Sequence, residues 1–291
     1  LYTISRSRAD LFYFTISQSY GGNIRDLLIL KLLDIQKKKV LIHLHGGNYR
    51  TLVDGMGKWQ KKMNYNAISK VWGTIVLGPS LRWIFEGMIP DKRIFTVPNC
   101  VDDQYLMDED CFCRKVKRSG QRRINHVLYL SNFIRSKGYI EVLEMARMER
   151  KNVLSGGEKK LHFDFAGRFF EKSEKRIFDR YVAENKLEDY VTYHRIVDGK
   201  EKQELLENSD FFVLLTTFLR EGQPISILEA MGNGLVLDKK TIDPTRCYEW
   251  IRELSDKDFE QIMKTNRAAV VKGFRQEIYI QNVLNSLYFA K

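Results

Sequence analysis

Only four cysteines and five prolines occur in the 291 residues. Cys111 and Cys113 form a C-x-C in a polar segment, with no further Cys or His at zinc-ligand spacing. Cys100 and Cys247 stand apart from them. This pattern argues against a disulfide framework and a structural zinc, and the thiols read as reduced cytoplasmic cysteines. No apolar run approaches the ~20 residues needed to span a bilayer. No N-x-S/T sequon, short-period repeat or low-complexity tract occurs. No D-x-D triad closes a strand candidate: Asp102-Asp103 and Asp108-Glu109-Asp110 lie in a charged, aperiodic stretch, so no catalytic metal is expected. No signal-peptide pattern opens the chain. Leu1 begins mid-pattern without a methionine, and further residues are expected before it.

Acidic residues are the scarcer charge. Asp and Glu number 37 against 48 Lys and Arg, for a net charge of +11. Residues 1–101 hold 15 basic and 6 acidic side chains, so most of the excess sits in the first third. Such an excess serves nucleic acid, an anionic membrane or phosphorylated substrates, or is simply a solvated surface. A nucleic-acid reading wants a basic face with interleaved aromatics or a known module, and no such module is found.

What is present is alternation. Apolar runs at 9–15, 39–46, 73–78, 93–99, 126–132, 161–167, 190–196 and 210–217 read as strands, several apolar on both faces as in a covered parallel sheet. Helix-period segments at 24–38, 139–151, 173–186 and 200–209 lie between them. Strand alternating with helix means α/β with crossover connections. A length of 291 residues suits two domains of ~100–200 residues. The charged stretch 102–123 has no apolar period and is the best linker candidate. The boundaries drawn are 1–110, a linker at 111–125, and 126–272. A helical stretch, 273–291, then follows a break at Gly273.

Ligands in such sheets bind at the carboxyl ends of strands, beside helix N-termini. After the run "DFFVLLTT" comes "EGQPISILEAMGNG" (221–234). Pro224 suits the first position of a helix, which leaves N–H groups of residues 223–226 open to an anion. Glu221 lies in the loop, and Glu229 about one and a half turns inside the helix. A carboxylate grips a vicinal diol well. Two of them beside an anion site suit a nucleotide sugar, although glutamates near a helix start are also favoured by the dipole alone.

"EGQPISILE" resembles the E-x7-E signature of retaining GT-B glycosyltransferases, in the form typical of glycosyltransferase family four. "VLYLSNFIRSKG" resembles that family's phosphate-loop segment, "PNCVD" its P-N-G-V-D, and "HLHGG" its N-domain histidine loop. The similarity runs over most of residues 9–235. It implies two Rossmann-like domains facing a central cleft, with residues 273–291 crossing back to the N-terminal domain. It implies that Glu229 holds the ribose hydroxyls, that Glu221 holds the donor sugar near the reacting carbon, and that Lys137 neutralises the diphosphate. His45 would contact the donor sugar. Ile196 and Val197 would pack and read the base, and Asn132, Gly222, Gln223, Pro224 and Ile225 complete the donor set. His43 is expected to alternate with His45, point to the opposite face and stay in the core.

The implied activity is transfer of a sugar, with retention, from a UDP- or GDP-sugar to a saccharide or lipid-linked acceptor. No cofactor or metal takes part. The setting is surface polysaccharide or glycolipid synthesis, in the cytoplasm or peripherally at the inner membrane face. Rival readings are a GT-B sugar-nucleotide epimerase and a non-enzymatic nucleic-acid-binding protein. Three departures stand out. Ser131-Asn132 replaces the family's Gly-Arg, leaving Arg135, Arg168 or Arg195 to stand in. Cys100 takes a glycine position. "AMGNGL" runs directly into "VLDKKTIDPTRC", so ~20–30 residues, the size of a βα unit, are expected to be missing between Leu235 and Val236. In "GKWQKKMNYNAISKVW" (57–72), Trp59 and Met63 at helical spacing amid Lys58, Lys61 and Lys62 suit an anionic membrane surface, or else pack into the core.

Overall fold

The computed structural model describes residues 2–119, 123–218, 222–236 and 242–288. The chain runs α1 (Tyr2–Ser5), β1 (Leu11–Thr15), α2 (Tyr20–Ile35), β2 (Lys39–His43), α3 (Tyr49–Asp54), α4 (Lys58–Lys70), β3 (Gly73–Val76) and β4 (Ile94–Thr96). It continues α5 (Glu109–Ser119), β5 (Asn125–Leu130), α6 (Tyr139–Leu154), β6 (Leu161–Ala166), α7 (Lys172–Glu184) and β7 (Val191–Tyr193). The last elements are α8 (Gly199–Asn208), β8 (Phe211–Phe212), α9 (Ile225–Gly232), α10 (Pro244–Glu253), α11 (Asp256–Gly273) and α12 (Gln276–Tyr288). Each expected strand is present. Among the described residues the fold forms two compact units, one holding the chain to Cys100 with Gly222–Pro224 and Glu277–Tyr288, the other holding Val101–Phe218 and Ile225–Gln276.

The first unit is a parallel sheet in the order β1-β2-β3-β4. Successive side chains of a strand point to opposite faces. Val40, Ile42 and Leu44 therefore pack with Leu30 and Leu33 of α2, Val53 of α3 and Ile68 of α4. Leu41, Ile75 and Val97 on the other face are covered by Tyr279, Val283 and Leu287 of α12. Coverage on both faces is why β2 reads as a continuous apolar run.

The second unit is a parallel sheet in the order β7-β6-β5-β8. Val127, Tyr129, Phe163 and Phe165 face α6, α7, α10 and α11 through Leu143, Phe178, Ile251 and Met263. Leu128, Leu130 and Ala166 face α8 and α9 through Leu206, Leu228 and Met231.

Two expectations need correction. The break between units falls at Cys100–Val101, and most of the expected linker 111–125 is α5. Its charges concealed two buried anchors. Phe112 joins the core of the second unit. Lys115 is 2% exposed and its ammonium donates to the carbonyls of Leu206, in the last turn of α8, at 3.1 Å and of Asn233, just past α9, at 3.0 Å. The second correction concerns the expected gap. Leu235 and Val236 are joined directly: Leu235 N–H donates to Ala230 O at 2.9 Å, and Val236 N–H to Asp210 O at 3.0 Å. The Val236 carbonyl in turn accepts from Phe212 N–H at 2.9 Å, so Val236 bridges to β8.

Candidate active site

Glu229 sits on α9 with its carboxylate 5% exposed, ion-paired through Oε1 to Lys202 Nζ of α8 at 2.7 Å. The same ammonium lies 4.0 Å from the centre of the Tyr105 ring. The Tyr105 hydroxyl donates to Asp198, the residue that caps α8. That hydrogen bond, with a smaller contribution from burial, raises the tyrosine pKa, and it lowers that of Asp198. Just before the cap, Ile196 is 64% exposed, while Val197 packs toward the cluster around Leu206. An exposed isoleucine beside a packed valine leaves an apolar surface at the end of β7.

Asn132 and Lys137 occupy two linked turns of the same unit. Ser131 N–H donates to Ala166 O at 3.1 Å, and Phe133 N–H to Arg168 O at 2.9 Å. Phe133 is fully buried against Phe169 and Phe178, which fixes the turn that exposes Asn132. Gly167 adopts φ +142°, and a Cβ there would lie 1.9 Å from Ser131 O, so only glycine fits. Its N–H donates to Arg195 O at 2.7 Å. The backbones of Arg168 and Arg195 thus adjoin the Asn132 turn, while Arg135 faces Glu141 at 3.6 Å. Lys137 ends a 3₁₀ turn closed by Gly138, whose positive φ and close approach to Leu215 O exclude a side chain. The ammonium of Lys137 lies 4.9 Å from the centre of the Phe218 ring.

In the first unit the loop after β2 brings His45, Gly222 and Gln223 together. Asn99 joins them: it hydrogen-bonds the His45 ring, its N–H donates to Gln223 Oε1 at 2.7 Å, and its Nδ2 donates to Gln223 O at 2.9 Å. Gly222 packs so closely on Gly46 and Leu77 that an added Cβ would meet them at 3.0 and 2.9 Å. Gln18 braces the loop from below by accepting the Asn48 N–H at 2.7 Å. Cys100, next to Asn99, adopts no positive φ, so the glycine expected there is not needed for backbone reasons.

The placement of His43 corrects the expectation. Residues two apart on a strand share a face, and the rings of His43 and His45 stack at 4.0 Å. His43 is fully buried, as expected, between His45 and Tyr279, and shares a hydrogen bond with the Tyr13 hydroxyl through Nδ1. Its Nε2 has no protein partner among the described residues. Burial, with the neighbouring His45, lowers its pKa from 6.5 to about 3. The fold keeps this ring neutral while the unfolded chain protonates near 6.5, so stability present above pH 6.5 is lost as pH falls toward 3. The slope from this one group is about 1.4 kcal/mol per pH unit. Urea titrations of wild type and His43→Asn over that range check this. The expected result is a shallower acid limb in the variant, and parallel profiles would contradict it.

Glu221 lies outside the described residues. Pro224 belongs to the first unit with Gln223, and Ile225, 47% exposed, opens α9 in the second. Among the described residues no group of three or more His, Cys, Asp or Glu side chains is placed to hold a metal ion. Lys202, Tyr105, Asn99 and Gln18 were not foreseen from the sequence. Asn99 alone had a local signal, in "PNC".

Residues 115–237 match the family model described as Glycosyl transferases group 1. No curated protein sequence matches the chain. Among solved structures, HepE of Anabaena in complex with UDP aligns with a TM-score of 0.74 at 13% identity, over 99% of this chain and 80% of that one. Sucrose-phosphate synthase from Thermosynechococcus elongatus aligns at 0.70 with 14% identity, over 100% of this chain and 76% of that one. A glycosyltransferase from Rickettsia africae aligns at 0.68 with 12% identity, over 98% and 77%. The fold is GT-B. The family match and the GT-B fold together support a glycosyltransferase. Lys115, which caps α8 and α9, and Gly167, which shapes the Asn132 turn, both lie inside the matched segment.

Proposed function

We propose that this GT-B protein is a retaining glycosyltransferase of family-four type. It moves a hexose from a UDP- or GDP-sugar to a saccharide or lipid-linked acceptor, in surface polysaccharide or glycolipid synthesis. The observation that carries this reading is the nearly buried carboxylate of Glu229, on the helix that completes E-x7-E, held by Lys202 of α8. A glutamate merely favoured by the helix dipole would face water. This one is fixed inward, as a receptor for the ribose diol must be. HepE has been solved with UDP-glucose bound, which supports the same donor class for this fold.

In the proposed reaction Glu229 takes the ribose hydroxyls, and Ile196 and Val197 pack the base. The leaving diphosphate meets Lys137, the N–H groups at the start of α9 and the Asn132 turn, with Arg168 and Arg195 replacing the family's arginine. Fixed charges and dipoles of this kind need no reorganisation as charge develops, so the reading assigns no metal or other cofactor. The bond from the anomeric carbon to the β-phosphate oxygen breaks, and the acceptor oxygen bonds that carbon on the same face. The acceptor proton passes to the departing phosphate. Glu221 and His45 hold the sugar during this exchange. Turnover of UDP- and GDP-hexoses with and without EDTA, with NMR of the product's anomeric configuration, tests the reading. Retention unaffected by EDTA is expected. Inversion, or activity abolished by EDTA, would overturn it.

The acceptor side is proposed to meet an anionic membrane at the inner face. No helix among the described residues is long and apolar enough to cross a membrane. Trp59 is 77% and Met63 41% exposed, so neither fills the core. Beside α4, joined through Tyr20–Gln60 and Asn23–Asn64, helix α2 exposes Tyr20, Ile24 and Leu28 in the same way. Lys31, Lys58 and Lys62 are exposed around these side chains, whereas Lys61 pairs with Asp54 at 2.6 Å. Each engaged lysine contributes about 1 kcal/mol, screened by salt. Co-sedimentation with anionic vesicles at low salt is expected, with loss in high salt and in Lys31/Lys58/Lys62→Glu. Indifference to lipid charge would point to a soluble acceptor.

A further inference from the structure

The surroundings of Glu229 form a closed ring of contacts. Lys202 Nζ bonds Glu229 Oε1 and rests over Tyr105. Tyr105 bonds Asp198, whose carboxylate also accepts Gly199 N–H at 2.9 Å and so caps the helix carrying Lys202. The Tyr105 carbonyl accepts from Asn233 Nδ2 at 2.6 Å, and the same amide reaches the Glu229 carbonyl at 2.9 Å. Each member therefore holds the next, from α9 to α8 to the turn before α5 and back to α9. Lys202 and Glu229 side chains are 16% and 5% exposed. No other protein group among the described residues donates to the second oxygen of Glu229.

We infer that Lys202 is the positioning residue of the ribose site: it holds the Glu229 carboxylate aimed, and leaves its second oxygen for the nucleotide's hydroxyls. The inference rests on the reading that Glu229 receives the ribose. Burial favours the neutral form of a carboxyl, and an adjacent cation opposes that. A neutral carboxyl is a weaker acceptor and spends one oxygen as a donor. Removing the ammonium should therefore make nucleotide affinity depend on pH, which loss of packing alone would not do. Among the described residues the titratable groups that interact with the pair are Asp198 and Tyr105. Arg267 of α11 and Lys115 of α5 bind the carbonyls of Gly232 and Asn233 at the far end of α9. The alternative arrangement, in which Lys202 merely fills the empty ribose site and must leave, predicts the opposite sign.

The test is calorimetric titration of UDP and GDP into wild type, Lys202→Met, Lys202→Arg and Lys202→Met/Glu229→Gln, from about pH 6 to pH 9. The nucleotide's terminal phosphate ionises within this range, so each variant is read as a ratio to wild type at the same pH. Lys202→Met should bind about 10-fold or more weakly at the acid end and recover toward wild type at the basic end. Lys202→Arg should retain most of the affinity, and the double variant should be weak and flat with pH. The double variant buries no unpaired charge, so it separates the binding effect from misfolding. Tighter binding by Lys202→Met, or a loss that does not change with pH, would overturn the positioning role and leave the donor reading standing. Absence of any nucleotide binding by wild type would overturn both.

Discussion

Glu229→Ala is expected to weaken binding of free UDP or GDP by about 10- to 100-fold, because a charged hydrogen-bond partner contributes ~1.5–3 kcal/mol. The loss should be the same with or without a sugar on the diphosphate, since the predicted partner is the ribose. Glu221→Ala should behave differently. It should leave free nucleotide affinity nearly intact and lower turnover, because its predicted contact is with the sugar alone. Glu229→Ala also strands the Lys202 ammonium, 16% exposed, without its partner. Removing one member of a buried pair costs about 3–5 kcal/mol when the other cannot reach water. Glu229→Gln is the milder control. Equal loss of free nucleotide binding in the Glu221 and Glu229 variants would reject the assignment of roles.

Gly167→Ala is expected to destabilise the second unit by more than about 3 kcal/mol, lowering its melting temperature by roughly 10 °C. Two effects add. A φ of +142° is closed to residues with a Cβ, and that atom would lie 1.9 Å from the Ser131 carbonyl. The strain cannot be relieved by a side-chain rotation, because the obstacle is backbone. Any relaxation moves the Ser131-Asn132 turn, so nucleotide affinity should fall in the fraction that still folds. Thermal unfolding of the variant checks this, and melting within about 2 °C of wild type would contradict the described geometry.

The eight strands were legible because buried parallel strands are apolar on both faces, as in β2, where α12 covers Leu41 and the helices opposite cover Val40 and Ile42. The position of Glu229 on α9 was legible because Pro224 precedes the helix start and fixes how far inside it the carboxylate lies. Helix α5 was not, since its apolar period is carried by Phe112 with Lys115, and a buried lysine bound to two carbonyls looks like a solvated charge in sequence. His43 was misplaced by a slip in strand geometry: two residues along is the same face. Lys202 was invisible because its partner is 27 positions away and the pairing follows from how α8 and α9 lie on one sheet face. Where residues were expected to be missing after Leu235, Val236 follows directly and bridges to Phe211.

The most direct test of the central claim, that this fold holds a nucleotide sugar through Glu229, is thermal unfolding of wild type and Glu229→Gln with a panel of UDP-, GDP- and ADP-sugars. A ligand that binds only the folded state raises its melting temperature, by an amount that grows with the logarithm of one plus the ratio of free ligand concentration to Kd. The account predicts that UDP- or GDP-sugars stabilise the wild type and that the shift is largely lost in Glu229→Gln. A panel that leaves the wild type unmoved, or a shift of the same size in both proteins, would contradict it.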